Sequence, residues 1–194
     1  MSLIDNIHNM TNAELNGLAK NRYIPEDIQL AIEAHPYRLA KEHLSWNRGI
    51  TPRVAEKLWD RKGFVLKCNL ISQGKYIGQP EKYRELYADH GRRIMRGSWW
   101  RFSSVFLQSH RWECGADYTP SDIIDKIYDG LTSDDCLQGG GWTSQGYSQY
   151  FFKNSMRKIV EHSNCSLETA VKISATIEIP EVRKAAFDKI AELS

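Results

Sequence analysis

Two histidine–cysteine pairs, His110 with Cys114 and His162 with Cys165, have the residue types of a zinc site. Together they would supply two nitrogen and two sulfur ligands. Their spacings are not those of a zinc finger, and Cys136 competes, so the pairs read as ordinary side chains and no metal is assigned. Gly139-Gly140-Gly141 could turn backbone amides toward a phosphate. It lacks the Lys-Ser/Thr and the preceding strand of a P-loop, which leaves a flexible linker. No G-x-S-x-G or H-E-x-x-H occurs. No catalytic residue and no cofactor is therefore expected.

Charge is the stronger signal. Between Pro36 and Gly115 stand 16 Lys or Arg against 7 Asp or Glu, a local +9 in a chain whose net charge is +2. A basic middle between acidic ends attracts an acidic partner, whether a protein face or nucleic acid. Trp99, Trp100 and Trp112 are interleaved with these cations and have the faces on which bases stack. The residues expected to contact a partner are Arg48, Arg53, Arg61, Arg92, Arg93, Arg96, Trp99, Trp100, Arg101 and Trp142. Arg38, Arg92-Arg93, Arg157 and Arg183 are each expected to open the second helix of a unit. Such arginines could form a ladder for phosphates or carboxylates, although pairing with a neighbouring helix end is the favoured account.

What must position these residues is legible from the prolines. Asn21-Arg22-Tyr23-Ile24-Pro25 recurs as Asn47-Arg48-Gly49-Ile50-Thr51-Pro52. Pro25, Pro52 and Pro80 are separated by 27 and 28 residues, and a near-constant period in the twenties marks a stacked-repeat architecture. Each proline, with Pro120 and Pro180, heads a helical stretch, where its missing N–H costs nothing. Thr51 and Thr119 read as N-caps, and Thr11 with Glu14 as a capping box.

Apolar spacing inside the units is helical. Ile28, Ala31 and Ile32 make one face; Val54, Ala55 and Leu58 make the next. Leu39, Ala40, His43 and Leu44 follow in the second run of the first copy, and Val65, Leu66, Cys68, Asn69 and Leu70 in that of the second. A third unit is expected from Pro80, with Tyr83, Leu86 and Tyr87, then Ile94 and Met95. Near the C-terminus come Met156, Ile159 and Val160, then Leu167, Ala170, Val171 and Ile173, then Val182, Ala185, Ala186 and Ile190.

Asn47…Thr51-Pro52…Leu58-Trp59-Asp60, followed by Val65-Leu66-Lys67…Asn69, resembles the leucine-rich repeat variant family, with weaker echoes at Tyr37-Arg38, Arg92-Arg93-Ile94, Met156-Arg157-Lys158 and Val182-Arg183-Lys184. The resemblance covers about residues 13–98 and 150–194. It implies an all-α fold, a right-handed α-solenoid of short helical hairpin repeats akin to HEAT and armadillo arrays. Some members hold an iron–sulfur cluster on a dense cysteine group; no such group exists here, so the cluster is not carried over.

The expected organisation is a single domain over 1–194, with N-terminal repeats at 13–98, an aromatic insertion at 98–150 and C-terminal repeats at 150–194. The insertion holds four of the six tryptophans, a helix after Pro120 and an exposed loop over about 129–149. No apolar run of about 18 residues occurs, so no membrane partner is expected. The start carries Asp5 and lacks an apolar h-region, and the cysteines form no CxxC; the expected compartment is the cytoplasm, with free thiols. The function expected is non-enzymatic binding of a macromolecule, an acidic protein surface first and nucleic acid second. A remoter alternative is a HEAT-like DNA glycosylase, for which Trp99, Trp100, Arg101, Trp112, Asp117 and Asp122 supply the residue types.

Overall fold

The computed structural model describes residues 3–61, 63–97, 103–107, 115–133 and 147–194. Every regular element among them is helical. The contacts divide the chain into two compact units, Met1–Tyr76 and Ile77–Ser194.

In the first unit the helices are α1 (Leu3–Asn6), α2 (Asn12–Lys20), α3 (Glu26–Ala34), α4 (Arg38–Ser45), α5 (Pro52–Trp59) and α6 (Phe64–Ser72), with a 3-10 turn at Ile7–Asn9. The helix α2 packs on α4 and α4 on α6, while α1 packs on α3 and α3 on α5. Three successive pairs thus lie in two layers. The faces are set by the apolar spacing: Leu15, Ile32, Leu44, Val54, Leu58 and Leu70 are each fully buried. Burial of one such side chain stabilises the fold by about 2 kcal/mol.

Successive pairs are joined by polar side chains that reach back one period. Asn47 Nδ2 donates to the carbonyls of Ala19 (2.8 Å) and Asn21 (2.9 Å), and Lys75 Nζ to those of Arg48 (2.8 Å) and Ile50 (3.2 Å). Gln29 is 1% exposed; its Nε2 donates to Ile24 O and Gly49 O, and its Oε1 accepts from Thr51 N, each at 3.0 Å. One amide therefore ties together the loops before and after its own helix pair. Loop backbone that no helix satisfies must find such partners when buried.

Helix ends share one device. Asn21 Oδ1 accepts from Tyr23 N (3.0 Å) and Asn47 Oδ1 from Gly49 N (2.8 Å). His35 Nδ1 accepts from Tyr37 N (3.1 Å) and His162 Nδ1 from Asn164 N (3.0 Å). In all four a side chain stands in for a backbone acceptor two residues away, which turns the chain out of the helix. The capping box at Thr11 and Glu14 is formed.

The second unit contains α7 (Pro80–Gly97), α8 (Ser121–Thr132), α9 (Tyr147–Glu161), α10 (Leu167–Thr176) and α11 (Pro180–Leu193), with short helical turns at Ser103–Leu107 and Gly115–Tyr118. The helix α8 packs on α7 and α9, and α11 on α9 and α10. Arg84 joins α7 to α8 through Asp122 (Nη2–Oδ1 3.0 Å, Nε–Oδ2 3.2 Å). Asp125 of α8 accepts from Ser166 Oγ (2.8 Å) and Thr169 Oγ1 (2.6 Å) at the start of α10, where Ser166 is the N-cap.

Several expectations are corrected. The third copy is not a helix pair: Pro80–Gly97 is one helix, because nothing between Tyr83 and Met95 breaks it except Gly91, which a helix tolerates. Helix α8 runs on to Thr132 and α9 begins at Tyr147, so both ends of the loop expected at 129–149 are helical. Thr51 occupies the N-cap position without bonding through its hydroxyl, and α8 takes Pro120 rather than Thr119 as its cap. Leu39, Leu167 and Val171, placed inward by spacing, are 45%, 42% and 46% exposed. Residues 98–102, 108–114 and 134–146 of the insertion lie outside the described residues.

Candidate functional site

Two of the expected arginines pair with acids of the preceding helix pair. Arg53, in the first turn of α5, pairs with Glu26 of α3 at 3.3 Å. Arg61, just beyond α5, donates through Nε to the Glu33 carboxylate and through Nη2 to the Glu33 carbonyl at 3.0 Å. Each partner lies 27 or 28 residues upstream, so these arginines serve the repeat packing. Arg48 is exposed in the loop between α4 and α5. Arg92, Arg93 and Arg96 stand on the C-terminal half of α7, and their side chains lie outside the described residues. Trp99, Trp100, Arg101 and Trp142 also lie outside them, as do His110, Cys114, Cys136 and Gly139-Gly140-Gly141.

The arginine ladder is resolved into local pairs. Arg38 opens α4 as expected and meets Glu42 one turn on at 2.8 Å. Arg157 meets Glu161 at 2.6 Å, and Arg183 Nε donates to Ser174 O at 3.1 Å. Arg92, Arg93 and Arg157 lie inside long helices and open none. The second histidine–cysteine pair is likewise structural: His162 commits Nδ1 to Asn164 N, and burial pushes the Cys165 thiol up to about 11. A thiol held protonated is a poor metal ligand. Among the described residues no group of three or more His, Cys, Asp or Glu is placed to hold a metal ion.

Spacing placed Leu39 and His43 inward and left out Trp46, yet the three share a face that reaches solvent. Leu39, His43 and Trp46 fall at i, i+4 and i+7 along α4, and Leu39 and Trp46 are 45% and 50% exposed. Beside them in the same layer, α2 turns out Ala13 and Gly17, and a Cβ at Gly17 would meet nothing within 4 Å. Lys20, at the end of α2, borders the stripe: burial first, then the Lys20 charge, lowers the His43 pKa. Arg38 stands at the other end. The signal present in sequence was Trp46, a large apolar residue at the C-cap of α4, one turn on from His43.

Among the described residues no helix is long and apolar enough to cross a membrane. No family model, curated protein or solved structure matches the chain.

Proposed function

We propose that the protein is a non-enzymatic binding module, an α-solenoid of helical hairpins that takes a protein partner. The recurrence of side-chain-to-backbone bonds at 26 to 28 residues in the first unit supports the repeat reading. Stacked repeats offer extended layer surfaces for binding.

The observation that carries the binding reading is the outward stripe of Leu39, His43 and Trp46 beside the bare face of α2. An exposed tryptophan with an exposed leucine two turns away is the composition of an interface anchor. Lys20 and Arg38 at its borders favour a partner that is apolar at the centre and acidic at the rim. Arg48 and the tryptophans Trp99, Trp100 and Trp142 remain candidate contacts of the same partner. The pairing of Arg53 with Glu26 and of Arg61 with Glu33 makes nucleic acid the second choice, because phosphate binding needs uncommitted cations.

The test is quantitative capture on the immobilised full chain, comparing the wild type with the Leu39→Ala/Trp46→Ala double variant and with Tyr23→Ala. Tyr23 is 84% exposed and off the stripe, so it controls for general surface adhesion. Loss of a protein from the double variant alone, by at least about tenfold, is expected. Identical capture by all three overturns the reading. Fluorescence anisotropy with single- and double-stranded nucleic acid should stay flat at low salt. Tight binding there, with a slope of about −0.9 per phosphate neutralised, would replace the protein partner by nucleic acid.

A further inference from the structure

The helix pair α10 and α11 of the second unit carries an apolar face that the rest of its unit leaves bare. Leu167 and Val171, one turn apart on α10, are 42% and 46% exposed, and Phe187 of α11 is 56% exposed. The inward positions of the pair are filled by other residues, since Ala170, Ile173, Val182 and Ala186 are each fully buried. One hydrogen bond fixes how the two outward strips lie. Arg183 Nε donates to Ser174 O at 3.1 Å. Ser174 follows Val171 by three residues on α10, and Arg183 precedes Phe187 by four on α11, so each shares a strip with its apolar neighbour. The helices pack on each other and are joined by residues 177–179 alone, which makes them an antiparallel hairpin with the two strips side by side.

Charge on α11 decides what covers this face. Lys184 and Asp188 flank Phe187, both are exposed, and neither makes a hydrogen bond or ion pair among the described residues. They stand one turn apart, but a cation N-terminal to an anion is the weaker order for a pair within one helix. Both charges are therefore left for a partner. A purely acidic surface would meet Asp188 with like charge, and a purely basic one would meet Lys184 so. A second copy of the same helix, turned end for end, meets neither: Lys184 of each copy faces Asp188 of the other, with the two Phe187 rings between the pairs.

We propose that the protein forms a two-fold dimer through α10 and α11, with Phe187 and Val171 at its centre and two Lys184–Asp188 pairs at its rim. A two-fold interface uses the same patch on both copies and closes on itself, as this self-complementary charge order requires. The face is small. A helix of 14 residues beside a shorter one covers roughly 20 by 20 Å, about half the area per partner of a standard interface. The dissociation constant should accordingly lie in the range of about 10 to 100 μM. This inference is independent of the partner proposed for the α4 stripe, which belongs to the other unit.

The experiment is sedimentation velocity on the full-length protein from about 5 to 500 μM, a range that brackets such a constant. The wild type should pass from monomer to dimer and stop there. Phe187→Ala should weaken the dimer at least about tenfold, whereas Tyr23→Ala, exposed in the first unit, should not. Lys184→Asp and Asp188→Lys each oppose like charges twice and should each dimerise at least about tenfold more weakly than the wild type. An equimolar mixture of these two variants restores opposite charges at both contacts and should dimerise at least as well as the wild type. If Phe187→Ala fails to fold, the charge variants and their mixture decide. A wild type that stays monomeric at 500 μM overturns the proposal. Assembly running on past the dimer, unchanged dimerisation in folded Phe187→Ala, or a mixture no better than its components overturns it equally.

Discussion

The Cα of Gly49 sits against the backbone carbonyl of Arg22 so closely that a Cβ on Gly49 would stand 1.9 Å from that oxygen. The contact joins the two copies of the repeated turn. No rotamer change relieves it, because the opposing atom is backbone. Gly49→Ala should therefore destabilise the protein by about 3 kcal/mol, read as a lower urea midpoint with an unchanged slope. The equivalent residue of the first copy, Tyr23, is 84% exposed, and Tyr23→Ala should shift the midpoint by less than about 0.5 kcal/mol. Equal effects at the two positions would mean that the copies do not stack through this turn.

The two repeated asparagines make a second unequal pair. Asn21 is exposed and answers only Tyr23 N, whereas Asn47 is 4% exposed and also donates to Ala19 O and Asn21 O. Asn47→Ala strands the buried carbonyl of Ala19 and removes the bond to Asn21 O and the turn bond, so about 2 kcal/mol should be lost. Asn21→Ala should cost well under half of that. Chemical denaturation of the two variants side by side checks the ratio, and a larger loss at Asn21 would reverse the assignment of which asparagine links the copies.

The same residues show what a sequence can disclose. The period was legible because prolines must stand at or beside helix starts, and those of the first unit do so at the spacing the joining bonds repeat. The inward faces were legible where apolar residues recur at three and four, as with Ile28 and Ile32. Which helices leave part of that face uncovered was not: Leu39 and Val171 have inward spacing and nonetheless reach solvent, since coverage depends on the neighbour. Nor were the roles of Arg53 and Arg61. Composition counts charges, but only the stacking brings Glu26 and Glu33 opposite them. The length of α7 was not legible, because two helical runs without a strong breaker are indistinguishable from one.

Cys165 should resist alkylation in the folded protein. Burial raises its thiol from 9.0 to about 11, so at pH 8 the thiolate fraction is about a hundredfold below that of an ordinary thiol. The side chain is also 3% exposed, which slows attack further. Peptide mapping after iodoacetamide at pH 8 should find Cys165 unmodified in buffer and modified in 8 M urea, a denaturing concentration for a small domain. Ready labelling in buffer would show that the turn between α9 and α10 opens far more often than the bonds from Asn164 Nδ2 to Thr119 O and from Thr169 N to Ser166 Oγ suggest.

His35 makes the first unit acid-sensitive above the range in which carboxylates titrate. Its pKa is lowered from 6.5, by burial first, then by His8 and Lys41. The unfolded chain takes up this proton near pH 6.5 and the fold only at lower pH. Between those values the unfolded state binds more protons, so the contribution of His35 is complete above pH 6.5 and lost as pH falls. The structural cause is direct, since a protonated ring has no Nδ1 lone pair to accept from Tyr37 N. His43, lowered by burial and Lys20, acts in the same direction, so His35 accounts for part of the slope. The protein itself offers the replacement: Asn21 and Asn47 close the same two-residue turn with an amide oxygen that does not titrate. His35→Asn should hold its stability at pH 7.5 within about 1 kcal/mol, the scale of one hydrogen bond, and should lose less than the wild type on going to pH 5.5. Urea unfolding at the two pH values measures both. An unchanged pH dependence would mean that the His35 turn does not limit stability in acid, and that His43 or another group carries the slope.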